Sequence, residues 1–117
     1  MTYEEFRQEM ESYRRDADAH ASVRKDSQLV LDRLHALYLE FDASEQAMAN
    51  RVLAEWALSG DEGMRFDALA LIDEFKIRQA IPALNELAQR LGSSNAPGAP
   101  YELEKAKRIV ADLSSTH

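Results

Sequence analysis

Residues 64–91 decide the fold; they read MRFDALALIDEFKIRQAIPALNELAQRL. Apolar residues recur in this stretch every three or four positions, which is the spacing of an amphipathic helix. Proline is tolerated in a helix only in the first turn, so Pro82 places the start of a second helix near residue 79. The stretch therefore predicts two helices with a short connection, and a short connection favours antiparallel neighbours.

The rest of the chain follows the same pattern, because Ala, Leu, Glu, Arg and Gln dominate between sparse glycines and prolines. No segment alternates with period two, so no strand is predicted. Asp42 with Glu45 predicts a capping box, and Gly60 is expected to end the third helix in the left-handed conformation. We expect helices over Thr2–Ala19, Asp26–Phe41, Ser44–Leu58, Asp61–Lys76, Arg78–Leu91 and Pro100–Leu113. We also expect a break or a frayed helix end over 18–25 and a loop over 92–100.

A weak repeat accompanies this pattern. A shift of 34 residues places Leu37 on Leu71 and Phe41 on Phe75, and a period in the thirties with two helices per unit is typical of an α-solenoid. A first helix with small and aliphatic residues (MRFDALALI), followed by AIPAL opening the second helix, resembles the short bacterial kind of HEAT-like repeat over about residues 29–91. The usual Gly-Asp type of turn is replaced by EFKI.

The resemblance implies an architecture and a class of function. It implies an all-α domain over residues 1–117 with about six helices. Residues 26–91 would form two HEAT-like hairpins, and residues 1–25 and 101–114 would form capping helices. HEAT-like repeats are generally scaffolds that bind proteins, so the resemblance implies binding and no catalysis.

Composition excludes several classes of function. The 117 residues are 45% hydrophobic, which suits one modest core. The net charge of −7 argues against a direct nucleic-acid partner, since phosphate binding needs a basic surface. Apolar runs are too short for a membrane span, so we expect no membrane contact. The absence of cysteine and the polar first twenty residues favour a cytoplasmic protein.

Candidate catalytic and metal-binding residues are few. His20 follows Asp16 by four residues, a spacing that can place two metal ligands on one helix face or simply a solvated polar stretch. His35 is a candidate boundary histidine or general base. No phosphate-binding loop or Gly-x-Ser-x-Gly elbow occurs, whereas a pair of catalytic carboxylates stays open. We expect no enzyme, cofactor or metal.

Acidic residues are the main candidates for a binding surface. Residues 1–60 carry 12 acidic and 7 basic groups, which predicts either a solubilising surface or a face for a basic partner. Trp56 and the stripe of Tyr3, Phe6, Met10 and Tyr13 are candidates for core packing or for an interface. In a solenoid the second helix of each pair lines the concave side. The predicted partner-binding residues are therefore Glu45, Gln46, Asn50, Arg51, Glu55, Asn85, Glu86, Gln89 and Arg90.

Two functional hypotheses of different classes follow from these observations. The first is an acidic protein of the immunity or inhibitor type, which covers a basic partner such as a nuclease toxin. The alternative is a structural adaptor that self-associates as a homodimer through the first or the last helix. An enzyme or a metal-binding helical bundle is a weaker third hypothesis.

Overall fold

The computed structural model describes residues 2–24 and 28–115, and its regular secondary structure is entirely helical, with no strand in those ranges. The predicted all-α fold with about six helices is confirmed. The helices are α1 (Tyr3–Arg24), α2 (Leu29–Glu40), α3 (Ala43–Trp56), α4 (Glu62–Phe75), α5 (Ile81–Gly92) and α6 (Ala99–Ser115), and a 3₁₀ turn (Arg78–Ala80) precedes α5. The chain forms two compact units, unit 1 (Met1–Val52) and unit 2 (Leu53–His117), with the boundary inside α3.

The first helix is longer than its sequence pattern predicts. It ends at Arg24 instead of Ala19, so a break is wrong for the described part of 18–25, while the alternative of a frayed end stays a prediction. Ala17 and Ala21 lie four residues apart and are only 1% and 7% exposed. These small side chains continue the buried stripe of the helix while adding little apolar signal to the sequence.

Helices α1 and α2 are antiparallel neighbours in unit 1. The rings of Phe6 and Phe41 lie 5.1 Å apart at 53°, and the Tyr13 hydroxyl donates to the carbonyl of Arg33 at 3.3 Å. The order of these contacts is reversed along the two helices, as antiparallel packing requires. The predicted start of the second helix at Asp26 lies outside the described residues. Buried apolar side chains of these two helices include Phe6, Met10, Val30, Leu34 and Tyr38.

The end of α3 uses backbone hydrogen bonds instead of a left-handed glycine. The amides of Leu58 and Ser59 donate to the carbonyls of Glu55 and Trp56, each at 3.0 Å. Such i to i+3 bonds satisfy the last carbonyls of a helix by tightening its final turn. No described glycine has a positive φ, so the predicted left-handed role of Gly60 is wrong. Trp56 itself is 2% exposed, which confirms core packing for this side chain.

Both ends of α4 have defined caps. The Asp61 carboxylate accepts a hydrogen bond from the amide of Met64 at 3.1 Å. At the other end Lys76 adopts the left-handed conformation (φ 53°), and the amide of Ile77 donates to the carbonyl of Ile72 at 3.1 Å. This arrangement is a common C-terminal cap of a helix. Its left-handed position usually holds glycine and here holds lysine.

Helix α6 packs against α5 and also contacts α4. Two ion pairs join α4 to α6, Arg65 with Glu102 at 2.7 Å and Asp73 with Arg108 at 3.8 Å. Because the order of residues is the same on both helices, α4 and α6 run parallel. The closest helix neighbours are α5 with α6 and α1 with α2, not the pairs α2–α3 and α4–α5 of the expected hairpins.

The sequence placed the start of α5 near residue 79, whereas residues 78–80 form a 3₁₀ turn and the α-helix begins two residues later than predicted. Pro82 lies in the first turn, as predicted, one residue after the helix begins at Ile81. Among the helices over residues 2–24 and 28–115, none combines the length and the apolar content that crossing a membrane requires.

Candidate functional site

Three of the predicted partner-binding residues stabilise the connection between α2 and α3. The predicted capping box is confirmed, because the amide of Glu45 donates to Asp42 at 2.8 Å and the amide of Asp42 donates to Glu45 at 3.0 Å. The Gln46 side-chain amide donates to the carbonyl of Tyr38 at 3.3 Å, and the Tyr38 hydroxyl donates to Asn50 at 2.7 Å. Burial raises the pKa of Tyr38, and the bond to Asn50 opposes that shift.

Arg51 is exposed and lies against α1. Its guanidinium carbon is 3.8 Å from the centre of the Tyr3 ring, the geometry of a cation–π contact. Each predicted partner-binding residue of α3 in unit 1 therefore contacts another residue of that unit. These residues are Glu45, Gln46, Asn50 and Arg51.

The predicted residues of unit 2 form a polar surface without net charge. Asn85, Glu86, Gln89 and Arg90 are exposed, and their spacing along α5 places them on one side of the helix. Arg90 donates to Glu86 at 3.0 Å and to the carbonyl of Leu58 at 3.3 Å. The charges on this surface of α5 therefore neutralise each other. Glu55, the remaining predicted residue, is exposed near the end of α3.

A cleft between α1 and α2 in unit 1 combines apolar walls with acidic residues. We call it the acidic cleft. Its volume is about 150 Å³. Small-molecule pockets usually measure about 300–1,000 Å³, whereas an apolar cavity of about 150 Å³ holds a benzene ring. The acidic cleft therefore has room for one apolar side chain. Its lining residues are Phe6, Glu9, Met10, Tyr13, Leu37, Phe41 and Glu45.

The charged residues that line the acidic cleft are all acidic. Glu9 and Glu45 line it, and no basic residue does. Within residues 2–24 and 28–115 neither carboxylate has an ion-pair partner, although Glu45 accepts the capping bond from Asp42. Glu5 and Asp16 are exposed and lie four residues before and seven residues after Glu9, so they share its side of α1. The surface beside the cleft is thus a row of carboxylates.

Sequence reasoning found only part of this cleft. It selected Glu45 but missed Glu9, and it considered Phe6, Met10 and Tyr13 as either core or interface. Core packing is confirmed for Phe6 and Met10, which are 3% and 4% exposed. Tyr13 is 36% exposed, and its role in an interface stays a prediction. The sequence did contain a signal for Glu9. This residue directly precedes Met10 of the apolar stripe, so its carboxylate marks the edge of the buried face of the helix.

The candidate metal pair does not assemble into a site in the described residues. His20 Nδ1 lies 2.8 Å from the backbone carbonyl of Asp16 and not from its carboxylate. Over residues 2–24 and 28–115, no group of three or more His, Asp or Glu side chains could hold a metal ion together. His35 lies half-buried on α2.

Comparison of the chain with protein-family models, with curated proteins and with solved structures found no match.

Proposed function

We propose that this chain is a non-catalytic protein-binding module, and that the acidic cleft of unit 1 receives an apolar side chain of a basic partner protein. One observation carries the proposal: Glu9 and Glu45 line a ring-sized apolar cleft that no basic residue lines. A partner segment with an apolar residue between lysines or arginines has the complementary chemistry. Aromatic and aliphatic anchors in such pockets commonly dominate the binding energy of an interface.

The expected strength of this contact is modest. Full burial of one Leu, Phe or Met side chain contributes about 1.5–3 kcal/mol, and each exposed ion pair contributes about 0.2–1 kcal/mol. One anchor with two ion pairs therefore gives at most about 5 kcal/mol, which corresponds to a dissociation constant of about 0.2 mM at the tightest for an isolated segment. A complete partner must add contacts outside the cleft to bind tightly.

Two further properties support a role in covering a basic partner. The net charge of −7 accelerates encounter with a basic protein and repels acidic ones. The sequence resemblance of about residues 29–91 to HEAT-like repeats favours a binding role, although the helix pairs that pack most extensively are α1 with α2 and α5 with α6 and not those of the expected hairpins. Neutralisation of a basic protein in the cytoplasm, as immunity and inhibitor proteins do, is the role that we propose.

Partner capture with a matched pair of variants tests this proposal. The chain is immobilised as wild type, as Glu9→Lys and as Asp18→Lys, and exposed to native cell extract and to co-expressed products of neighbouring genes. Both substitutions reverse one exposed charge on α1, but only Glu9 lines the cleft. Captured proteins are identified by mass spectrometry, purified and titrated at low and high salt.

The expected result is one basic protein that binds the wild type and Asp18→Lys alike. We expect Glu9→Lys to weaken this binding about tenfold or more, and added salt to weaken it for all three forms. Equal binding of both variants would contradict a role for the acidic cleft. A purified partner of acidic charge would contradict the proposed function as a whole.

A further inference from the structure

Two exposed aromatic side chains lie on α4 and α6 of unit 2. Phe66 is 53% exposed and Tyr101 is 79% exposed. A cleft of about 140 Å³ lies beside them, and the buried side chain of Leu69 also lines it. A cavity of this volume accepts one aromatic ring. We call Glu62, Phe66, Tyr101, Lys105 and the cleft between them the aromatic patch.

The aromatic patch carries one charge of each sign. Glu62 on α4 is exposed and has no ion-pair partner in the part of the chain that the structure describes. On α6, the Lys105 ammonium lies 4.4 Å from the centre of the Phe66 ring. Glu102 also lines the cleft, but Arg65 neutralises it at 2.7 Å. The patch is therefore balanced in charge, in contrast to the net charge of −7 of the whole chain.

This balance decides which occupant fits. A basic segment would meet Lys105, and an acidic segment would meet Glu62. The best occupant presents a cation opposite Glu62 and a carboxylate opposite Lys105. A second copy of the chain, related by a two-fold axis, presents its own Lys105 and Glu62 in this way. Burial lowers the pKa of Lys105, with repulsion from Arg108 as a further cause, and the carboxylates of Asp73 and Glu102 oppose this shift. A further carboxylate from a second copy would replace more of the lost solvation.

We propose that the aromatic patch is the contact surface of a symmetric homodimer. In this dimer Tyr101 of each copy enters the cleft of the other, and Glu62 of each copy pairs with Lys105 of the other. This inference is independent of the acidic cleft, because it concerns other residues in the other unit.

Sedimentation velocity over a range of concentrations tests the dimer. We expect wild type to dimerise reversibly, and Tyr101→Ser to raise the dissociation constant about tenfold or more. Leu39→Ser is the matched control, since Leu39 is 62% exposed but lies in unit 1. This control should dimerise as the wild type does. Since Tyr101 and Leu39 are both largely exposed, neither substitution should alter the helical circular dichroism.

Charge reversal tests whether the ion pairs join two copies. Glu62→Lys and Lys105→Glu should each weaken self-association, because each brings like charges together at both symmetric positions. A mixture of the two variants should associate again, since every pair in the mixed dimer then has opposite charges. A wild type that stays monomeric at millimolar concentration, or a mixture that stays monomeric, would overturn the proposal. Equal dimerisation of Tyr101→Ser and Leu39→Ser would overturn it as well.

Discussion

Removal of the Arg65 charge should destabilise unit 2 markedly. Its Nε and Nη2 donate to Glu102 at 2.7 and 3.3 Å, and its Nη1 donates to the carbonyl of Ser59 at 3.0 Å. The carboxylate of Glu102 raises the pKa of Arg65, so the cation persists throughout the working pH range. The two side chains are only 17% and 16% exposed, which limits screening by solvent.

The magnitude follows from this burial. Loss of one partner destabilises a fully buried ion pair by about 3–5 kcal/mol and an exposed pair by about 0–1 kcal/mol. For Arg65→Met we therefore expect the free energy of unfolding to fall by about 2–3 kcal/mol. With a urea dependence of about 1.5 kcal/mol per M, the midpoint should fall by about 1.3–2 M. The double variant Arg65→Met/Glu102→Leu leaves no unpaired charge, so its loss should be only about 1 kcal/mol.

Urea denaturation followed by tryptophan fluorescence measures these changes. Trp56 is the sole tryptophan and is buried in unit 2, where the ion pair lies. Arg90→Met is the matched control, because it breaks an exposed ion pair in the same unit and should change stability by less than about 0.5 kcal/mol. If Arg65→Met were no more destabilising than the control, or if the losses of the two single variants summed in the double variant, this reasoning would be refuted.

Two further substitutions test local features of the fold. Lys76→Gly should raise the free energy of unfolding by about 0.5–1 kcal/mol in urea denaturation, because glycine adopts the left-handed conformation without strain. Lys76→Ala loses the same ion pair with Asp73 and should give no such gain; equal effects of the two would contradict the explanation. Above about pH 10 the unfolded chain releases the Tyr38 proton before the folded chain does, so wild-type stability should fall as pH rises. Tyr38→Phe should lose less stability over the same pH range in urea denaturation, and parallel curves would count against the burial of this hydroxyl.

Features set by neighbouring residues could be predicted from the sequence. Asp42 and Glu45 are three positions apart in a helix-forming segment, and their capping box follows from that spacing alone. Pro82 similarly marked the start of α5. The left-handed backbone conformation of Lys76 could not be predicted in this way, because nothing in a lysine side chain favours it. Its conformation follows from the helix stop that the buried Ile77 imposes.

Features that depend on distant contacts were missed or only partly found. The acidic cleft requires Phe6 of α1 to meet Phe41, the residue directly after α2, and a single helical pattern does not specify that pairing. The exposed aromatics Phe66 and Tyr101 did leave a signal, because both fall outside the apolar stripes of their helices. A large apolar residue on the polar side of a helix is a useful indicator of an interaction surface.

The most direct test of the acidic cleft uses the methionine methyl groups as probes. Met10 lines the cleft, and Met64 on α4 of unit 2 is an internal control. The protein, labelled at these methyl groups, is titrated to millimolar concentration with a helical peptide that carries one Phe flanked by lysines. A second peptide carries glutamates in place of the lysines. We predict that the cationic peptide shifts the Met10 resonance, that Met64 stays in place, and that added salt reverses the shift. An unmoved Met10 resonance, or equal shifts with both peptides, would contradict the proposed recognition of a basic partner.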